Sequence, residues 1–492
     1  MKRIKNLIIA AAAAAVLIGA YFVVAAVVKR NEENNTHETD AEYTLPQLDS
    51  ESLTALKIRR RTESEGSAAV TELSFTVKAD MSGFTWDENP SVPLNPAKFA
   101  DIADAVSSGR SATRMEGVSD ADLASYGLAD PEITATFTFT GGRSRICSIG
   151  NYNSFNGRYY FCSSDEPGVV YMADGLLRDS LNVDIFDLLL YDSLPEISAA
   201  SVKSLTYTEG DRTLVYTYFP SGNPDDYTTS YNWYLSVNGG TPFAVDKSVG
   251  EDIAAAVAGR ELLSAVAYDR SRDRELGFDA PGKLVIEYSA EEKVDDSASS
   301  GTGSTITRDA SYTLYFGGSD EDAYRYVRTP GSDLVYTISH SDTFNVMTDP
   351  DDNTVRPAEI ISPEITRIDS IVFSDGTNSL DVRLTHVDGT TTYKNGSGED
   401  IRFDKYSALM DALTSLTATS FTSVLEPDPS SSGEILFSAS FGFNSGKEKQ
   451  SVLEIRSYSQ SYCRAVFMGR GTQLITADEA QNLRSLLADY FA

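Results

Sequence analysis

The sequence predicts an α+β protein in which one N-terminal transmembrane helix is followed by three tandem repeats of an antiparallel sheet with packed helices. Three observations predict it. A charge-free apolar run, Leu7–Val28, follows the basic tip "MKRIKN". The stretch "SYGLADPEITATFTF" from Ser125 is echoed by "ELGFDAPGKLVIEY" from Glu275, with Gly127 and Pro131 spaced as Gly277 and Pro281 are. Strand and helix signals also recur in the same order at intervals of roughly 150 residues, the size of an ordinary domain.

About 20 apolar residues in a helix span a hydrocarbon core of roughly 30 Å. A cleaved secretory signal has only about 7–15. Leu7–Val28 therefore reads as an uncleaved signal anchor holding the chain to the membrane, with cleavage in its Ala-rich part as the alternative. Lys2, Arg3 and Lys5 before the span outnumber Lys29 and Arg30 after it. That bias keeps the tip in the cytoplasm and puts the bulk of a single-pass cell-membrane protein outside. After the tip and anchor, 1–30, a polar linker 31–50 leads to repeat units at 51–198, 199–363 and 364–492.

Each repeat opens on a half-buried strand pattern: "LTALKIRRR" from Leu53, "VKSLTYTEG" from Val202 and "IDSIVFSDG" from Ile368. A second strand carries Trp86, Trp233 or Tyr393. A helix comes next, capped by Asn95, Asp246 or Asp404, whose side-chain oxygen can accept from an orphan helical N–H. Its buried face is Phe99, Ile102, Ala103 and Val106 in the first copy, Val249, Ile253 and Val257 in the second, and Tyr406, Leu409, Met410 and Leu413 in the third. The echoed stretch is then a helix stop and strand start. Ser119 caps a short helix, Gly127 takes a left-handed conformation, Leu128 folds back and Pro131 prevents resumption. Ser271, Gly277, Phe278 and Pro281 repeat this, while the third copy lacks the stop. Two more strands and a helix close each repeat. The polar insertion near 290–310 is expected to be a mobile loop, and Pro-containing joints near Ile197 and Pro363 separate the copies.

These residues resemble the bacterial family catalogued as domain of unknown function 4340. The resemblance is carried by the Trp-containing strand, the capped helix, "DLASYGLADP", "SIG" at Ser148–Gly150, "RYY" at Arg158–Tyr160 and "VVYM" at Val169–Met172. It is strongest from Leu53 to Leu194, weaker from Val202 to Met347 and faint beyond. It implies a membrane-anchored extracytoplasmic protein, often encoded beside an ABC-type transport system related to gliding-motility auxiliary components. The family carries no assigned catalytic residues.

The chemistry-bearing residues are few. With 72 acidic and 41 basic residues the formal charge is −31, a surface that repels nucleic acid. His37, His340 and His386 have no histidine or cysteine at ligand spacing, so no metal site is expected. "DPDDNTVRPAEI" from Asp349 fails as a calcium loop, with Thr354 for the glycine and Ile360 for the glutamate. No nucleophile elbow or phosphate loop occurs, so neither catalytic residues nor a cofactor is expected. Free, half-buried cysteines are expected at Cys147, Cys162 and Cys463, a Cys147–Cys162 bridge being the alternative.

One candidate contact remains. In "GNYNSFNGRYYF", Asn156-Gly157 signals a hairpin turn, which would bring Tyr152 and Phe155 near an exposed tip with Asn151 and Asn153 as amide partners. Rings beside amides suit a glycan or protein contact; an ordinary hairpin packed on the next repeat is the alternative. The expected function is a non-catalytic, membrane-anchored extracytoplasmic interaction protein with a protein partner in the envelope, an accessory subunit of an ABC-type transport or envelope system. The alternatives are cell-surface adhesion or polymer binding and, third, an envelope hydrolase.

Overall fold

Three antiparallel sheets with helices packed on them make up the computed structural model. It describes residues 43–45, 47–49, 52–64, 67–294, 304–320, 324–338, 342–422, 433–467 and 470–492. The expected anchor Leu7–Val28 lies outside the described residues, and among these no helix is long and apolar enough to cross a membrane. The chain divides into two compact bodies, one ending at Leu190 and one running from Tyr191 to Ala492.

The first sheet contains β1 (Tyr43–Thr44), β2 (Leu53–Ser64), β3 (Ser67–Val77), β4 (Phe84–Trp86), β5 (Arg110–Met115), β6 (Ile133–Phe139), β7 (Ser144–Asn153), β8 (Arg158–Ser163) and β9 (Val170–Ala173). The second contains β10 (Val202–Glu209), β11 (Arg212–Tyr218), β12 (Trp233–Val237), β13 (Phe243–Ala244), β14 (Leu262–Ala267), β15 (Gly282–Val294), β16 (Ser304–Ser319), β17 (Arg325–Arg328) and β18 (Val335–Ile338). The third contains β19 (Ile368–Ser374), β20 (Ser379–Val387), β21 (Thr390–Asn395), β22 (Ser420–Phe421), β23 (Ile435–Phe443), β24 (Gln450–Ser457), β25 (Tyr462–Phe467) and β26 (Arg470–Thr476).

Setting aside the small edge strands β1 and β13, the three sheets have one strand order. It reads β4-β3-β2-β6-β7-β8-β9-β5, then β12-β11-β10-β15-β16-β17-β18-β14, then β21-β20-β19-β23-β24-β25-β26-β22. The central pairing sets Leu56 opposite Phe137, Leu205 opposite Ile286 and Ile371 opposite Phe441. Even an irregularity recurs: the register shifts between Leu53 and Ala55, between Val202 and Ser204, and between Ile368 and Ser370. Burial alternates along the central strands, with Ile133, Ala135, Phe137 and Phe139 inward in β6 and Phe437, Ala439, Phe441 and Phe443 inward in β23. Each such isoleucine or phenylalanine side chain contributes about 1.5–3 kcal/mol by leaving water.

A crossover helix joins the two edges of every sheet: α1 (Pro96–Ser108), α4 (Lys247–Ala258) and α7 (Phe403–Thr414), with α2 (Asp120–Ser125) and α3 (Gly175–Leu181) also in the first repeat. The crossover helix packs on a closing helix, α3 in the first repeat, α5 (Asp342–Thr348) in the second, where the short α6 (Asp352–Val355) follows it, and α8 (Ala477–Phe491) in the third. The caps of α1 and α4 are as the sequence predicts, Asn95 Oδ1 accepting from Ala97 N at 3.0 Å and Asp246 Oδ1 from Ser248 N at 2.9 Å. Phe99 of α1 stacks on Phe84 at 4.2 Å and meets Phe75 edge-on at 5.0 Å. Gly250 of α4 lies so close to Trp233 that any side chain there would collide with the indole.

Four expectations need correction. Asp404 is not a cap, because α7 begins one residue earlier and Arg402 at its cap makes no side-chain bond there. The strands bearing Trp86, Trp233 and Tyr393 are third in their repeats, since β3, β11 and β20 precede them. The polar insertion is not loop throughout. Its flanks continue the β15–β16 hairpin out to Val294 opposite Ser304, because a backbone ladder extends regardless of side-chain polarity. Finally, Cys147 and Cys463 are fully buried rather than half-buried, and register rules out the alternative, a Cys147–Cys162 bridge. Cys147 faces Ser163 and Cys162 faces Ser148, so the two thiols lie on opposite faces of the sheet, and all three cysteines are free.

Candidate functional site

The repeated glycine words build a docking joint. In the first repeat Ser119 and Asp122 cap α2 reciprocally, Ser119 Oγ accepting from Asp122 N at 3.3 Å and Asp122 Oδ2 from Ser119 N at 3.1 Å. Hydrogen bonds from the Ser119 hydroxyl and amide hold the Asp122 carboxyl below its ordinary pKa. Gly127 takes φ +71°, Leu128 N returns to Leu123 O at 2.8 Å, and Asn151 N of β7 donates to Tyr126 O at 2.8 Å. A Cβ on Gly150 would overlap that same carbonyl, so "SIG" is the cradle into which the helix end fits.

The second repeat makes the same joint: Gly277 has φ +81° and Gly318 N donates to Leu276 O at 2.8 Å. A Cβ on Gly317 would overlap Leu276 O. One detail departs from expectation. The segment before Gly277 is a run of turns rather than a helix, and the oxygen at its start belongs to Asp269, which accepts from Ser271 N at 2.9 Å. Arg328 clamps these turns from β17, forking onto Asp273 and covering the Phe278 ring at 4.4 Å.

Beside the first joint stands the predicted hairpin tip. Phe155 is 98% exposed and Tyr152 54%. The turn closes through Gly157 N on Asn153 O at 2.9 Å, and the Tyr152 ring leans on Tyr159 at 5.0 Å. Tyr152 and Phe155 thus both stand exposed at the hairpin end, but the amides are engaged within the protein. Asn153 Nδ2 donates to the Tyr160 hydroxyl at 2.9 Å while its Oδ1 accepts from Phe155 N at 3.0 Å. Asn151 Nδ2 lies 3.4 Å from Ser125 O, tying the hairpin to α2. The tip is a pair of rings on a braced base.

Sequence reasoning missed a second feature, the strap between β11 and β12. Phe219 N donates to Asn232 O at 2.7 Å and Asn232 Nδ2 to Phe219 O at 2.7 Å, which closes its base. Tyr227, only 9% exposed, enters the core of the third sheet. Its ring meets Phe467 at 5.1 Å and Phe443 at 5.8 Å, and its hydroxyl accepts from Ser362 N at 3.2 Å. Arg367 Nη1 reaches Asp226 O at 3.0 Å, and Lys447 N reaches Asp225 O at 3.1 Å. The only advance signal was a loop rich in Gly, Pro and Asp that carries two tyrosines, Tyr227 and Tyr231.

Next to the strap opens a cleft of about 800 Å³, lined by Asp225, Tyr231, Arg356, Glu359, Lys447 and Gln473 among others. Burial pushes the Tyr231 and Tyr234 phenols above their ordinary values, and the Asp226 carboxylate, accepting from Tyr234 OH at 2.7 Å, raises Tyr234 further. Rings, amides and charges of both signs suit a polar ligand held by many weak contacts.

The remaining candidates have structural duties. His386 Nδ1 lies 2.9 Å from Thr391 Oγ1 and its Nε2 2.7 Å from Ile368 O, while His37 and His340 are outside the described residues. Asp349 pairs with Arg212 at 2.6 Å and Asp351 accepts from Thr354 N at 2.9 Å. Among the described residues no group of three or more His, Cys, Asp or Glu side chains could hold a metal ion.

Fold and site together define a repeat protein of three antiparallel sheets that share one eight-strand order, each crossed by a helix, the first two also carrying the backbone docking joint. The chain belongs to the family described as domain of unknown function (DUF4340), whose model matches residues 85–219 and 233–433. The second stretch opens on Trp233 itself and the first one residue before Trp86; the unmatched residues 220–232 between them are the strap. No curated protein matches the chain.

Proposed function

We propose that this chain is a non-catalytic interaction protein of the cell envelope, held in the membrane by Leu7–Val28 with its bulk outside the cytoplasm, and serving as an accessory subunit of an ABC-type transport or envelope system. The observation that carries the reading is the tip at Tyr152 and Phe155. Two rings are presented to solvent while every amide beneath them is spent on holding the hairpin still. Rigid aromatic side chains give large contact area at small entropic cost, the property of a protein-binding anchor. Family membership and the basic-then-apolar N-terminus support the placement at the membrane.

The test is cross-linking from position 155, with a photo-reactive residue there, in native membranes. Capture of transporter subunits, absent when Leu7–Val28 is deleted, is the expected result. Capture of wall polymer instead would favour the second reading, surface adhesion or polymer binding, to which the mixed aromatic and polar cleft beside the strap also speaks. No capture at all would overturn the tip as an anchor.

A further inference from the structure

Strand β13 is the outer strand of the second sheet and pairs only with β12. Val245 turns its N–H inward onto Trp233 O at 2.9 Å. By the alternation of an antiparallel ladder, Ala244 therefore turns its N–H and C=O outward, and Asp246 does the same. Asp246 N finds a partner in Val355 O at 2.8 Å. Ala244 finds none among the described residues, and Pro357, two residues beyond Val355, has no N–H to offer it. An open position on a sheet edge is where an extended chain can add itself as a strand.

Half-buried Ala244 lines the cleft of about 800 Å³ beside the strap. That volume falls in the upper part of the roughly 300–1,000 Å³ range of ligand sites. The walls hold amide groups that the protein leaves unused. Asn223 and Asn238 spend their oxygens on Asp225 N at 3.0 Å and Thr213 N at 2.7 Å. Their NH2 groups, and the whole side chain of Gln450, have no partner among the described residues. The charges divide in the same way. Asp226 accepts from the Tyr234 hydroxyl and Arg356 lies over the Phe243 ring at 4.3 Å. Asp225, Glu359, Glu448 and Lys447 make no ion pair among the described residues, which leaves three carboxylates against one ammonium. A neutral sugar would leave those carboxylates unmatched, whereas a main chain with basic side chains meets both the edge and the charge.

We propose that the cleft binds an extended peptide segment bearing basic side chains, its main chain paired with Ala244 and its cations on Asp225, Glu359 and Glu448. The experiment titrates the full-length chain in lipid nanodiscs with fluorescent acetyl-Lys-Val-Lys-Val-Lys-amide, followed by anisotropy. Four other probes compete with it: the same peptide N-methylated at its valines, the same N-methylated at its lysines, its glutamate counterpart, and a neutral tetramer of N-acetylglucosamine. Expected is saturable one-to-one binding of the lysine peptide, with the glutamate peptide and the sugar failing to compete. Because alternate residues of a strand face its neighbour, one of the two N-methylation patterns should weaken binding tenfold or more. Ala244→Pro and the double variant Asp225→Asn with Glu359→Gln should each do likewise.

Equal binding of all three lysine peptides marks no more than attraction to an acidic surface and overturns the proposal. So does the absence of binding, or displacement of the peptide by the sugar, which would give the cleft to a polymer. Proline is tolerated where an edge N–H faces outward, and thermal unfolding of each variant is measured alongside. If Ala244→Pro does not fold, the N-methylated peptides on the wild-type chain decide: weakened binding of one supports the edge pairing and unchanged binding of both refutes it.

Discussion

Two aromatic loops of similar composition meet opposite fates. The tip around Phe155 holds its ring out to solvent, whereas the strap from Phe219 to Asn232 plants Tyr227 between Phe443 and Phe467. Both loops carry Asn and Gly turn residues, and both are closed at the base by backbone hydrogen bonds. The difference lies in what each faces. A ring buries itself where another core offers apolar partners, and stands clear where the residues around it are already satisfied. The second and third repeats, tied by the strap, form one body from Tyr191 onward, and the first repeat has no counterpart to it, with only residues 78–83 between β3 and β4.

The largest effect that would sharpen this comparison is alkaline. Burial raises Tyr207 to about 12 and pushes Tyr216, Tyr231, Tyr234, Tyr336 and Tyr406 upward, all in the second body, against Tyr171 in the first. An unfolded tyrosine titrates near pH 10. The stability these buried phenols contribute is therefore complete below about pH 10 and is lost as pH rises through their folded values. The second body should unfold first in an alkaline titration followed by phenolate absorbance and circular dichroism. A single transition common to both bodies would break the comparison.

Removing the strap's ring comes next. Tyr227→Ala should cost about 3–5 kcal/mol of the second body's stability, as large aromatic truncations do. Tyr227→Phe, which keeps the ring and loses the bond from Ser362 N, should cost about 1 kcal/mol. Urea unfolding measures both, and limited proteolysis should show cleavage within 219–232 only in the alanine variant. Smaller again are the two stops. Gly127→Ala and Gly277→Ala each force a side chain into the left-handed region, for about 1–3 kcal/mol. The second should cost more, since its Cβ would sit 2.6 Å from the backbone nitrogen of Gly318, whereas Gly127 is crowded chiefly by the Asn151 side chain, which can rotate. Smallest is Phe155→Ala, expected within about 0.5 kcal/mol of wild type in stability while abolishing any capture through the tip.

Sequence made the periodic elements legible. Asn95, Asp246, Ser119 and the two stop glycines act through neighbours two to five residues away, so local spacing reveals them. The strands it passed over are of another kind. β5, "RSATRM", and the two-residue β22 are strands only because a distant edge pairs with them, and nothing in their own residues alternates strongly. Asp404 misled because it has the right residue type two positions too late, and Arg402 leaves that helix start to its backbone. The hairpin tip was readable from Asn156-Gly157, yet the duties of Asn151 and Asn153 were not, because their partners Ser125 and Tyr160 come from folding rather than spacing. Tyr227 was invisible for the same reason, since its ring neighbours Phe443 and Phe467 lie more than 200 residues further along the chain.

The common strand order has a kinetic consequence. The middle of each sheet, where Leu56 meets Phe137, Leu205 meets Ile286 and Ile371 meets Phe441, joins two meanders that local turns can assemble separately. Zipping them waits until the chain has crossed to the far edge and returned, a loop closure that slows folding. Until then β2, β10 and β19 each present a bare edge, open to a strand from any neighbouring chain. A protein with this plan is most vulnerable while it is being made, three times over, and a chaperone that covers those edges would serve it better than one that merely shields apolar surface.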